Sequence, residues 1–213
     1  DSTLYAGGRN IVYVSTDRGR TWDSTGRIAA GFDVENIIVH KNELYVASFA
    51  AGIMKSRDGG ATWEPTSAGT NTFPSDLCEF NGDLYAATLG NSMLKLDPVN
   101  RQNWINFTNG LSNFSVNITS IAGNNNALIA GTLANGLYGH LAAGSAAWTE
   151  RFLLGQIIPV EKTHDIITAH DTLFLSGSTG RFYKSVDNGL TWSLFANQLN
   201  SVFTSIANAK QAL

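Results

Sequence analysis

Apolar residues in this chain come in short runs of four to six positions, each closed by Gly, Asn, Asp or Ser. The stretch from residue 36 to 63 shows the pattern. Asn36-Ile-Ile-Val-His40 is an apolar run and Lys41-Asn-Glu43 a polar turn. Leu44-Tyr-Val-Ala-Ser48 is the next run, and Phe49-Ala-Ala-Gly52 turns the chain. Ile53-Met-Lys-Ser56 follows, and Arg57-Asp-Gly-Gly60 turns again before Thr62-Trp63. Runs of this length between such turns predict consecutive β-hairpins. No segment sustains the 3.6-residue period of a helix.

The pattern repeats. Tryptophans stand at Trp22, Trp63, Trp104, Trp148 and Trp192, separated by 41, 41, 44 and 44 residues. A second marker keeps the same beat: Leu4-Tyr5, Leu44-Tyr45, Leu84-Tyr85, Leu128-Ile129 and Leu173-Phe174, spaced 40, 40, 44 and 45. Two markers with one period define five units spanning residues 1–213 as one domain. Three or four short strands per unit match one blade of a β-propeller.

Three units carry one octet: Ser15-Thr-Asp17-Arg-Gly19-Arg-Thr21-Trp22, Ser56-Arg-Asp58-Gly-Gly60-Ala-Thr62-Trp63 and Ser185-Val-Asp187-Asn-Gly189-Leu-Thr191-Trp192. The chemistry suits a hairpin turn. The Asp carboxylate accepts from backbone N–H groups, Gly tolerates positive φ, and the indole then packs between neighbouring sheets. The octet resembles the Asp-box, or BNR repeat, of sialidases, family-74 glucanases, sortilin-type receptors and photosystem assembly propellers. That resemblance implies an all-β propeller, and the five units give about five four-stranded antiparallel blades. It also implies that the octets sit on the outer hairpins, away from the ligand face, so Asp17, Asp58 and Asp187 are structural. Units three and four depart from the pattern. Leu96-Asp97-Pro-Val-Asn-Arg-Gln-Asn-Trp104 is longer and has no Thr, and Gly139-His-Leu-Ala-Ala-Gly-Ser-Ala-Ala-Trp148 lacks the Asp, so differently shaped turns are expected there.

Unit one has no opening strand. The tail Thr204-Ser-Ile-Ala-Asn208 matches Thr119-Ser-Ile-Ala-Gly123, which opens unit four. Pairing the tail beside Leu4-Tyr-Ala-Gly7 closes a five-bladed ring. The alternative is an excerpt of a larger propeller, because Gln211-Ala-Leu213 duplicates a strand start that Asp1 to Leu4 also supply.

Composition narrows the function classes. Hydrophobic residues make up 43% and charged residues 15%, a globular balance. A net charge of −3 with scattered Lys and Arg argues against nucleic acid, whose binding needs clustered cations. No apolar run approaches the ~20 residues of a membrane helix. Cys78 is the single cysteine, which rules out an intramolecular disulfide and suits a small apolar strand residue. The chain begins at Asp1 rather than Met, as a cleaved secretory signal or an engineered boundary would both explain. The expected location is secreted, periplasmic or cell-surface.

In a propeller, the inter-blade loops and the turns between second and third strands share one face. Here that face presents Arg9, Phe49, Asn91, Asn135 and Arg181, with Phe32, Asp33, Phe73, Phe114, His164 and Phe203 in the loops between blades. Aromatics with Asn and Arg around a concave mouth suit a sugar or peptide; the simpler role for the phenylalanines is to plug loops against the core. Carboxylates on this face are Asp33, Glu35, Asp76, Glu161 and Asp165. Asp33 and Asp165 are the best-placed pair for a family-74-like hydrolysis. The segment Phe/Tyr-Arg-Ile-Pro typical of sialidases is absent. His40, His140, His164 and His170 lack metal-ligand spacing, and no glycine-rich phosphate cradle occurs, so neither metal nor cofactor is expected. Asn106, Asn113 and Asn117 begin glycosylation acceptor triplets that chance explains in an Asn-rich chain. The leading expectation is a non-catalytic propeller binding a protein or glycan, with Arg9, Asp33, Phe49, Asn91, Asn135, Asp165 and Arg181 as candidate contacts. The alternatives are a glycosidase-like hydrolase and a structural repeat module of a larger surface protein.

Overall fold

The structure is a computed structural model that describes residues 3–28, 33–49, 51–66, 72–111, 117–134, 136–143, 147–153 and 162–196. Every regular element in it is a β-strand. Blade one comprises β1 (Leu4–Gly8), β2 (Ile11–Ser15) and β3 (Asp23–Arg27). Blade two comprises β4 (Val34–His40), β5 (Glu43–Ser48), β6 (Gly52–Ser56) and β7 (Glu64–Pro65). Blade three holds β8 (Pro74–Phe80), β9 (Asp83–Thr88), β10 (Met93–Leu96) and β11 (Trp104–Asn106). Blade four holds β12 (Ile118–Gly123), β13 (Ala127–Thr132), β14 (Leu137–Leu141) and β15 (Thr149–Leu153). Blade five holds β16 (Thr163–Ala169), β17 (Thr172–Gly177), β18 (Phe182–Ser185) and β19 (Thr191–Ala196). Within each blade the strands pair antiparallel in chain order. The three-stranded first blade leaves room for an opening strand. The tail expected to supply it lies outside the described residues.

The opening strands β4, β8, β12 and β16 pack one against the next, and β1 packs on β4 as β5 packs on β8. The second strands behind them are buried on both faces: every residue of β5 and β13 is buried. Strands covered on both sides become continuous apolar runs, which is why Leu44-Tyr-Val-Ala and Ala127-Leu-Ile-Ala do not alternate.

Four apolar clusters fill the four interfaces between consecutive blades, and each contains one indole. Trp63 packs with Tyr5, Val12 and Val46 between blades one and two. Trp104 joins Tyr45, Leu84 and Leu94 in the next interface. Trp148 lies with Tyr85, Met93 and Leu128, and Trp192 with Ile129, Leu173 and Tyr183. Three of these indoles also donate to the outer edge of the blade before their own: Trp63 to the Gly26 carbonyl at 3.1 Å, Trp104 to Thr66 Oγ1 at 2.9 Å, and Trp148 to the Phe107 carbonyl at 2.9 Å. Trp192 instead donates to Gly189 in its own turn, and there β15 and β19 pair in parallel to join the two sheets. Trp22 departs from the expected wedge. It is 41% exposed and its N–H also stays within its own turn, on the Gly19 carbonyl at 3.2 Å, because no described blade precedes it. The fit is tight at Gly26, whose N–H donates to the Gly60 carbonyl at 2.7 Å. A Cβ on Gly26 would lie 2.0 Å from the Ala61 carbonyl oxygen.

The three octets form one hydrogen-bonded turn on the hairpin that leads into the last strand of the blade. In the first, Ser15 Oγ donates to Asp17 Oδ1 at 2.8 Å and accepts from Gly19 N at 2.8 Å. Thr21 N and Thr21 Oγ1 then donate to the two Asp17 oxygens at 2.9 and 2.7 Å. Ser56, Asp58, Gly60 and Thr62 repeat this set, as do Ser185, Asp187, Gly189 and Thr191. Hydrogen bonds from Thr21 and Ser15 hold the Asp17 carboxyl down to about 2, and those from Thr62 and Ser56 do the same for Asp58. Burial opposes the shift at Asp187, but hydrogen bonds from Thr191 and Ser185 still hold it low. The third unit's turn does differ in shape. Asp97 Oδ1 accepts from Val99 N and Asn100 N, and Asn100 Oδ1 accepts from Gln102 N and Asn103 N.

Truncating Trp63 to Ala should destabilise the protein by about 3 kcal/mol in denaturant unfolding, because it removes an interface ring and orphans a carbonyl. The same change at Trp22 should fall below about 1 kcal/mol. Equal losses would contradict the difference in packing. Depressed carboxylates contribute stability above their ordinary pKa and lose it as pH falls toward their folded value. Asp58→Asn should therefore lower Tm at pH 5 and converge on wild type near pH 2, the folded pKa of this carboxyl. A constant offset across that range would show that the turn carboxylate is not responsible.

Candidate functional site

Each opening strand enters its sheet through a register shift of the β-bulge kind. The shift falls between Val34 and Asn36, Pro74 and Asp76, Ile118 and Ser120, and Thr163 and Asp165. The skipped residues are Glu35, Ser75, Thr119 and His164. A bulge leaves one residue outside the ladder and turns its side chain away from the sheet plane. Here four bulges sit at one level of four strands that pack side by side, so the skipped residues converge. Together with Asn36, Asp76, Leu89, Ser120, Lys162 and Asp165 they line an axial cavity of about 420 Å³.

Side chains of the lining stitch the blades together. Ser75 Oγ donates to the Ile118 carbonyl at 2.6 Å, and Thr119 Oγ1 to the Thr163 carbonyl at 2.6 Å. Asp76 links three blades. Its Oδ1 accepts from Asn36 Nδ2 at 2.6 Å and from Leu77 N at 2.8 Å, and its Oδ2 accepts from Ile121 N at 2.8 Å. Burial pushes the Asp76 carboxyl up to about 7. The N–H groups of Ile121 and Leu77 oppose that rise, and the charge of Asp165 adds to it. Ser120 is 2% exposed, and its hydroxyl has no hydrogen-bond partner among the described residues. A second cavity of about 420 Å³ lies at the other end of the same strands, lined by Glu79, Asn81, Asn124, Thr168 and His170 among others. Glu79 Oε2 in that lining is 2.9 Å from His40 Nδ1.

Of the six candidate contacts among the described residues, Asp165 alone lines the axial cavity. Arg9 and Asp33 are exposed and face each other through an isolated backbone bridge on the same end of the molecule. Asn91 and Arg181 are exposed in the β9–β10 and β17–β18 connections, and Asn135 lies outside the described residues. Phe49 is 46% exposed and lies against Phe73, 36% exposed, with ring centroids 5.0 Å apart. Phe73 therefore does not simply plug the loop. Its φ of +42° is a rare conformation for so bulky a residue. Phe32, Phe114, Phe203, Glu161 and Asn113 lie outside the described residues. Asn106 is exposed at the end of β11, and Asn117 is half-buried, its carbonyl accepting from Leu133 N. Asn36, Ser75, Thr119, Ser120 and Lys162 were not singled out by the sequence. The signal was there: a polar pair opens each apolar run in phase with the repeat, as Glu35-Asn36, Ser75-Asp76, Thr119-Ser120 and His164-Asp165. The octets lie on the outer hairpins, at the end of the blades away from this cavity.

No helix among the described residues is long and apolar enough to cross a membrane. No curated protein matches the chain. Among solved structures it is similar to YCF48 bound to D1 peptide, with a TM-score of 0.60, 17% identity, and coverage of 86% of this chain and 60% of that one. It is similar to an ancestral GH74 enzyme with a TM-score of 0.71 and 16% identity, covering 94% and 30%. It also resembles the extracellular domain of BT4673 from B. thetaiotaomicron with a TM-score of 0.63 and 15% identity, covering 84% and 23%. The chain thus spans less than two thirds of each, and at these identities the likeness is one of fold. The profile of the DUF6242 beta propeller domain matches residues 2–209, and the chain belongs to that family.

Proposed function

We propose that this chain is a non-catalytic binding propeller that holds a protein segment or a glycan on its loop face, centred on the axial cavity. The observation that carries this reading is the fourfold bulge. Four blades each turn one polar side chain out of the ladder toward a single concave mouth. Polar groups converging in a cleft of this size are what ligand recognition uses. A protein segment is favoured: the cavity is small and polar, and YCF48, of similar fold, is a propeller with a peptide bound. One feature speaks for a glycan, the exposed Phe49–Phe73 pair, since sugar faces stack on aromatic rings.

The hydrolase alternative needs two placed carboxylates. Asp165 lines the mouth, but Asp33 stands apart on an exposed bridge with Arg9. Of the other two carboxylates lining the mouth, Glu35 is exposed, and Asp76 has both oxygens engaged by three donors and acts as a clamp between blades. The proposal carries with it a secreted, periplasmic or cell-surface location, in keeping with the extracellular domain among the similar structures.

The clamp is testable by pH. A carboxyl whose folded pKa is raised stabilises fully below its unfolded value and loses that contribution as pH rises through the folded one. Unfolding free energy should decline as pH rises from the ordinary carboxyl value of 3.8 and level off above the Asp76 value of about 7, and Asp76→Asn should flatten the decline. An unaltered slope in the variant would remove Asp76 from this role. Function is tested by screening a peptide library and a glycan array in parallel, beside hydrolysis assays on β-glucans and sialosides. Ligands captured by wild type should lose about tenfold or more in affinity with His164→Ala and show no turnover. Hydrolysis abolished by Asp165→Asn would put an enzyme in place of the binding module.

A further inference from the structure

Resting on that reading, we infer that the axial cavity receives one cationic side chain of a partner polypeptide, the ammonium of a lysine or the guanidinium of an arginine. Three lining residues are carboxylates, Glu35, Asp76 and Asp165, against one lysine, Lys162, which is exposed. The mouth is therefore net negative in a partly enclosed site, where charge acts more strongly than in open water. Asp165 is close enough for its charge to raise Asp76. Like charges sharing a site repel, and a cation beside them relieves that repulsion.

The second observation is independent of charge. Ser120 lines the cavity, is 2% exposed, and its hydroxyl lacks a hydrogen-bond partner among the described residues. A buried polar atom left unpaired is destabilising and calls for a partner that the fold does not supply. A ligand N–H fits it, because a serine hydroxyl offers two acceptor lone pairs and both ammonium and guanidinium carry only donors. Asp165 and Glu35 supply the counter-charge and Ser120 the neutral acceptor. A cavity of about 420 Å³ is at the small end for ligand sites, the scale of one side chain rather than an oligosaccharide.

The experiment titrates the full chain with N-acetyl-arginine amide, N-acetyl-lysine amide and their neutral counterpart N-acetyl-norleucine amide, read by NMR shifts and calorimetry. The two cations should bind saturably and the norleucine derivative should not. Asp165→Asn should weaken cation binding by about tenfold or more, while Lys162→Gln should strengthen it by up to about fivefold. Should Asp165→Asn fail to fold, the exposed Lys162 variant carries the test alone. Equal binding of norleucine, or affinity for the cations that ignores the folded variants, overturns the inference. If a neutral peptide or glycan from the screens binds at the mouth while the cations do not, loop-face binding stands and only the cation assignment falls. If nothing binds in either experiment, both fall.

Discussion

The blades of this protein depend on one another for cover. A second strand such as β5 presents apolar residues to both faces of its sheet, so a lone blade would leave half of them in water. Burying one such side chain contributes about 1.5–3 kcal/mol, and the supply comes from the next blade. Each interface is therefore a shared core with one indole at its outer end, and Trp63, Trp104 and Trp148 add a hydrogen bond to the blade before their own. The exposed ring of Trp22 shows the same residue type without a described neighbour on that side.

The same stacking makes the axial cavity. Opening strands that lie side by side around an axis crowd together, and a bulge in each turns its polar residue out of the ladder. Ser75 and Thr119 use their hydroxyls to tie adjacent blades. The mouth is thus partly scaffold, with Asp76 bonded across three blades, and on the proposed reading Ser120 and Asp165 serve recognition.

Aspartate has opposite fates in the two regions. In the octet turns the carboxylates of Asp17 and Asp58 accept local donors in a solvated setting, and they are held to about 2. Asp76 also accepts three donors, yet enclosure by neighbouring blades outweighs them and carries it to about 7. Desolvation decides the sign, and desolvation is supplied by the packing of separate blades.

That division marks how much was legible beforehand. The tryptophan period, the strand order and the hydrogen bonds of Ser15, Asp17, Gly19 and Thr21 all followed from residues within one unit. Such turns close over four positions, so neighbouring side chains suffice to specify them. The cavity could not be read that way. Its residues come from four blades, some forty positions apart, and which polar residue leaves the ladder depends on a bulge set by the pairing register. Sequence alone therefore determined the repeat, the turns and the propeller class, because these rest on local chemistry and periodic burial. Tertiary structure decided that Asp165 and Ser120 face one mouth while Arg9 and Asp33 do not, because convergence and desolvation exist only once the sheets are packed.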